Sequence, residues 1–205
     1  MIKAVIFDVD GVLLDSFEAN FLFFESLFQK TGFTPPTREE FREIFHKPMW
    51  DVIKIVTGLK DENDIRKIWD KGLNEEFDTP DAELSVGVSE VVTLLSKEYL
   101  LGLATSRVKV HEFEGPLRVL KQYFKATTTY EDTENHKPHP EPLLRAAELL
   151  GVDPVDCVYI GDAESDAMAA RATGMKIIVY SKERMEGVDG QTADFSKIPA
   201  IIKNL

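Results

Sequence analysis

The chain has 205 residues, 43% hydrophobic and 29% charged, which is enough for one substantial core or for a core with a smaller appended domain. Its 36 acidic residues against 24 basic ones give a net charge of −12, which argues against nucleic acid or an anionic membrane as partner, because both require a basic face. No apolar run approaches the roughly 20 residues of a membrane span, and the apolar N-terminal run is broken by Asp8 and Asp10, unlike a signal peptide, so the expectation is a soluble cytoplasmic protein.

Residues Ile2 to Phe7 read as a buried strand that ends in two aspartates, Asp8 and Asp10, followed by Gly11. Two acids leaving a hydrophobic strand together need a cation, a proton or hydrogen bonds. Oxygen ligands of this kind suit Mg²⁺, which takes one or two carboxylates and keeps water for the rest. From Ser16 the pattern turns helical, with Phe17, Phe21, Phe24 and Phe28 in one stripe until Gly32 and Pro35-Pro36 stop it. Thr37-Arg-Glu-Glu40 has capping-box form, Trp50 to Thr57 reads as a short helix ending at Gly58, and Asp61 opens a further helix. Residues 16–80 thus carry helical signals and no strand signal.

From Val86 onward strands and helices alternate. The spacing predicts a helix capped by Ser89, a strand Tyr99–Ala104, a helix from about Val108 to Gln122 disturbed by Gly115-Pro116, and a strand Ala126–Tyr130. A rigid loop follows through Lys137-Pro138 and Pro140. Then come a helix Leu143–Leu150, a strand Cys157–Ile160, a helix from about Ser165 to Thr173, a strand Lys176–Tyr180 and a closing helix Pro199–Leu205. Cys157, the single cysteine, allows no internal disulfide framework and reads as a core residue. The alternation predicts an α/β fold: a Rossmann-like, doubly wound parallel sheet containing residues 1–15 and 81–205, with residues 16–80 inserted as an all-helical domain.

Polar residues then fall at the carboxyl ends of three predicted strands and on one loop: Asp8 and Asp10, Thr105 and Ser106, Lys137, and Asp162 with Asp166. Ligands of open α/β sheets bind outside those strand ends, so the four groups converge on one predicted site.

In this order the elements resemble the haloacid dehalogenase-like hydrolase superfamily over essentially the whole chain. Asp8-Val-Asp10-Gly11-Val-Leu-Leu-Asp15-Ser16 is similar to its first motif, Thr105-Ser106 to the second, Lys137-Pro138 to the third, and Gly161-Asp162 with Asp166 to the fourth. The helical insertion resembles the small-cap C1 subfamily, which includes phosphoglycolate phosphatases and β-phosphoglucomutases. The resemblance implies a Mg²⁺-dependent phosphatase acting on a small phosphorylated metabolite, phosphoglycolate-like or a sugar phosphate, as monomer or homodimer. Asp8 would be the nucleophile and Asp10 the proton carrier, with Asp8, the Asp10 carbonyl and Asp162 at the metal. Gly11, Thr105, Ser106 and Lys137 would hold phosphoryl oxygens, and Asp166 would orient Lys137 or a metal-bound water.

Asp10 favours phosphoryl transfer over dehalogenation, because dehalogenases proper lack that acid. Arg107 departs from many relatives; contact with substrate and pairing with a surface acid are both open to it. In the helical insertion, His46 and Lys47 are candidate contacts to an anionic leaving group, with solvated loop residues as the alternative. The other readings are a β-phosphoglucomutase-like phosphoryl transferase and a non-catalytic phosphate-binding relative. A receiver domain fits poorly, having no room for a helical block after its first strand.

Overall fold

The computed structural model describes residues 1–205, the side chain of Val110 excepted. The chain forms two compact units, one of residues 1–15 with 83–205 and one of residues 16–82.

The chain opens with β1 (Ala4–Phe7), whose residues are fully buried, and passes through a turn to the two-residue β2 (Leu14–Asp15). The helical unit follows: α1 (Phe17–Thr31), α2 (Arg38–Ile44), α3 (Met49–Thr57) and α4 (Glu62–Asn74). The phenylalanine stripe of α1 is the core of this unit, with Phe21 and Phe24 packing their rings on Phe41 of α2 at 5.7 and 5.4 Å. Trp50 and Trp69 join α3 to α4 edge-on at 5.7 Å. Thr37 and Glu40 close the capping box of α2, and the Asp61 carboxylate accepts the Asn63 N–H at the start of α4.

The chain returns through β3 (Glu83–Leu84), which pairs antiparallel with β2, and continues as α5 (Val88–Leu95) and β4 (Leu100–Ala104). Next come β5 (Phe124–Thr128), α6 (Glu141–Leu150), β6 (Cys157–Gly161), α7 (Glu164–Thr173), β7 (Lys176–Tyr180), β8 (Gly190–Thr192) and the short α8 (Ile198–Ile202). The strand order is β5-β4-β1-β6-β7-β8, and every pairing in this sheet is parallel. One sheet face packs on α6 and α7 through Ile6, Tyr159, Ile177, Leu143, Ala146 and Ala167. On the other, the Phe7 ring meets Phe124 and Phe195 at 6.0 and 6.4 Å. Because β4, β1 and β6 are adjacent and parallel, the residues that follow them emerge on one edge of the sheet.

Several local expectations are corrected. Gly87, not Ser89, is the N-cap of α5, since the preceding turn starts the helix earlier. The helix expected over 108–122 is two 3₁₀ segments, Lys109–His111 and Gly115–Tyr123, because Gly115-Pro116 interrupts the α-helical hydrogen bonds. The threonine-rich strand runs from Phe124 to Thr128, two residues earlier than its β-branched run suggests. The closing helix stops at Ile202. The β2–β3 ribbon and β8 lack the length and alternation that mark a strand in sequence.

Candidate active site

The site is built on the edge where β1, β4 and β6 end. Asp8 leaves β1 with its backbone N–H donating to the Ile160 carbonyl at 2.8 Å. One carboxylate oxygen accepts the Val9 N–H at 2.8 Å, and the other lies 2.8 Å from the Lys137 ammonium. Burial outweighs the pull of Lys137 and raises the Asp8 carboxyl to about 7.

Lys137 is the electrostatic centre, its side chain only 4% exposed. Its ammonium reaches Asp8 and Asp166 at 2.8 Å each and the Tyr159 hydroxyl at 3.0 Å. These contacts match its three donors. Burial works against the ammonium, but Asp166 and Asp8 more than offset it and hold it well above the usual lysine range. The Tyr159 hydroxyl donates to the Ala104 carbonyl at 3.0 Å, so the end of β4 fixes the phenol that fixes the lysine. Sequence reasoning missed Tyr159, which reads there as one more apolar strand residue; a polar tip on a residue just before Gly161-Asp162 was the available signal.

Asp166 sits in the first turn of α7. One of its oxygens takes Lys137, and the other accepts the backbone N–H groups of Asp162 and Ala163 at 3.1 Å each. A Cβ on Gly161 would collide with its side chain, so glycine there permits this return. Glu164 turns away and pairs with Arg171 on the surface of α7, at 3.3 Å.

Asp162 is held by the turn after β6, and burial, Asp166 and Asp8 together push its carboxyl well above the ordinary range. Gly11 (φ +79°) is in the left-handed region, and a Cβ there would strike the Asp162 carboxylate. Carboxylate oxygens of Asp8, Asp162 and Asp166 lie within 4.8 Å of one another, the described acidic group able to hold a metal. Asp166 gives its oxygens to Lys137 and two N–H groups, and Asp8 gives its own to Lys137 and the Val9 N–H, so Asp162 is the least engaged of the three carboxylates. The raised pKa values of Asp8 and Asp162 mark a cluster that a divalent cation would relieve.

Thr105 follows β4, 4% exposed; its N–H donates to the Thr128 carbonyl at 3.0 Å and its hydroxyl oxygen accepts the Arg107 N–H at 3.2 Å. Ser106 is half-buried in the same turn. Arg107 pairs with an acid, but with Asp10 of the site and not with a surface acid, and contact with substrate stays open to it. Its Nε and Nη2 donate to both oxygens of Asp10, each at 2.8 Å. His46 and Lys47 lie in the helical unit, in the turn between α2 and α3, and are half-buried.

Comparison with known proteins shows the family. The haloacid dehalogenase-like hydrolase family matches residues 5–180. A protein named putative pyrophosphatase PpaX, of Clostridium perfringens, is 30% identical over 201 residues, covering 95% of this chain and 92% of its own. A hydrolase of haloacid dehalogenase subfamily IA from Geobacter sulfurreducens is 27% identical, with a TM-score of 0.75 and full coverage of both chains. The β-phosphoglucomutase of Clostridium difficile shares the fold at 18% identity, with a TM-score of 0.81 over 100% of this chain and 98% of its own. With the family matched over most of its length and a 30% identical relative covered almost end to end, the chain belongs to the haloacid dehalogenase-like hydrolases and is an enzyme of that class.

Proposed function

We propose that the protein is a Mg²⁺-dependent phosphatase that hydrolyses a small phosphate monoester through a phosphoryl group carried on Asp8. The observation that carries this is the contact of Asp8 with Lys137 beside Asp162, which gathers two carboxylates and a cation into one cluster that could hold a metal ion. Asp8, Asp162 and the Asp10 backbone carbonyl would hold the ion. When bound, it supplies positive charge that offsets the repulsion between Asp8 and a phosphate dianion.

In the first step an Asp8 oxygen bonds to phosphorus as the bond to the leaving oxygen breaks, and Asp10 gives that oxygen a proton. In the second, water attacks phosphorus, Asp10 takes its proton, and the Asp8 oxygen leaves. The sum is one ester and one water converted to one alcohol and one phosphate. The Thr105 hydroxyl and the Ser106 N–H would donate to the phosphoryl oxygens and Lys137 would act on them through its charge, whereas the Gly11 N–H, expected to join them, is taken by the Leu14 carbonyl at 2.9 Å. Tyr159 and Asp166 hold Lys137 in place, because they take the ammonium donors that do not face Asp8.

A phosphoric anhydride is the second reading of the substrate, favoured by the relative named as a pyrophosphatase. Both readings are tested by phosphate release across small phosphate esters and pyrophosphate, with Mg²⁺ or with chelator, using the wild type and Asp8→Asn. Release that needs both Mg²⁺ and Asp8 supports the proposal. Release that survives Asp8→Asn contradicts it.

A further inference from the structure

Arg107 stands at these strand ends with no part in holding phosphate, metal or Lys137. A guanidinium has five N–H donors arranged along two forked edges. Here the edge formed by Nε and Nη2 is fully used by the two oxygens of Asp10. A single long contact of 3.4 Å runs from Nη1 to the His111 carbonyl. The second edge, formed by Nη1 and Nη2, therefore keeps donors to spare, and 17% of the side chain is open to solvent.

The backbone at this position is fixed from both sides. The Arg107 N–H is bound to Thr105, and its carbonyl accepts the Tyr130 N–H at 2.9 Å. Burial works against the guanidinium charge, but Asp10, Glu114 and Asp8 more than offset it. The formal charge of the site points the same way. With Asp10 carrying the proton that it gives to the leaving oxygen, Asp8, Asp162 and Asp166 against Lys137 and Arg107 leave one negative charge, which one divalent ion turns into a net positive one. Without Arg107 the site would be neutral with its metal in place and would draw an anion less strongly.

We propose that Arg107 is a specificity-determining residue: one edge of its guanidinium clamps Asp10, and the other receives an oxyanion carried by the leaving group. The inference rests on the phosphatase reading above, in which Asp10 serves the leaving oxygen. Arg107 then lies within a few bonds of that oxygen, where a flat two-donor edge matches a carboxylate or phosphate. The substrate class is a phosphate whose leaving group bears a second oxyanion close to the scissile bond. A carboxylate on the neighbouring carbon and a second phosphoryl group are the two sources of that chemistry.

The test compares kcat/KM for 2-phosphoglycolate, pyrophosphate and the neutral 2-hydroxyethyl phosphate in the wild type, Arg107→Lys and Arg107→Met, with thermal melts to confirm folding. Loss of the clamp on Asp10 lowers every rate, so the readout is the ratio. The wild type is expected to prefer at least one anionic leaving group over the neutral one by about tenfold or more, the range of one charged hydrogen-bonding contact. Because leaving groups differ in intrinsic lability, both variants are expected to lower that ratio by about tenfold from its wild-type value rather than to equalise the substrates. Whichever anionic substrate shows the Arg107-dependent preference identifies the oxyanion. A wild-type ratio near unity overturns the proposal, and so does a ratio that survives in the variants. Should Arg107→Met fail to fold, Arg107→Lys, which keeps the charge and most of the stem but not the fork, carries the comparison. A wild type that hydrolyses 2-hydroxyethyl phosphate without anionic preference sinks only this inference, whereas one that hydrolyses none of the three sinks the phosphatase reading itself.

Discussion

At the scale of single residues, the site is held together by a lysine with no donor to spare. Tyr159→Phe removes one acceptor of the Lys137 ammonium and leaves the ring to pack as before. The expected outcome is a fall in kcat of about tenfold with a melting temperature changed by only a few degrees, since one net hydrogen bond is worth about 1 kcal/mol. Kinetics and a thermal melt on the same preparation check it. Asp8 makes a second prediction, for the metal-free protein. Its folded carboxyl titrates at about 7, against 3.8 for the free side chain, so between these values the native state keeps a proton that the unfolded chain has lost. Stability therefore falls as pH rises from about 4 to about 7, by up to a few kcal/mol from this group. Melts in chelator at pH 5 and pH 8 measure the fall. Asp8→Asn, which removes that charge, raises the pH 8 melting temperature while it abolishes turnover. A metal-free protein equally stable at both pH values would contradict this account.

At the scale of elements, two turns govern the site. The turn after β1 brings Gly11 against Asp162, and its N–H donates to the Leu14 carbonyl at 2.9 Å. Gly11→Ala introduces a Cβ both where φ is +79° and where the Asp162 carboxylate sits. It is expected to cost about 1 kcal/mol or more of stability and to weaken metal binding, read by calorimetric titration. The turn after β6 works through Asp166, which bonds back to the start of α7 and forward to Lys137. Such turns explain what the sequence reveals and what it hides. Phe7-Asp8-Val9-Asp10-Gly11 is legible because an apolar strand ending in acids has few physical solutions. The Tyr159 contact is not legible, because its partners are a backbone carbonyl at the end of another strand and a lysine 22 residues away. The Arg107 fork is hidden in the same way, since Asp10 lies 97 residues from it. Short strands such as β2 and β8 escape because backbone pairing defines them, and pairing leaves no period in two or three residues.

At the scale of the whole molecule, the parallel sheet turns remote sequence positions into neighbours. The residues after β1, β4 and β6 share one edge only because these three strands run side by side in the same direction. That much follows from the alternation of strand and helix signals, and the site was legible to the extent that it depends on strand ends. No described helix is long and apolar enough to cross a membrane. A chain with net charge −12 must still attract a phosphate dianion, which places the burden on the local cations and the metal. Mg²⁺ is accordingly expected to raise the melting temperature more at pH 8 than at pH 5, where protons compete for Asp8 and Asp162.

The central claim is that Asp8 carries the phosphoryl group. Its most direct test is to quench the wild type during turnover of a phosphate ester with Mg²⁺ and locate the covalent phosphoryl group by peptide mass spectrometry. The account predicts one phosphoryl group on the peptide containing Asp8, labile to hydroxylamine and missing from Asp8→Asn. Turnover with no phosphoryl group on that peptide, or with one on another residue, would contradict it.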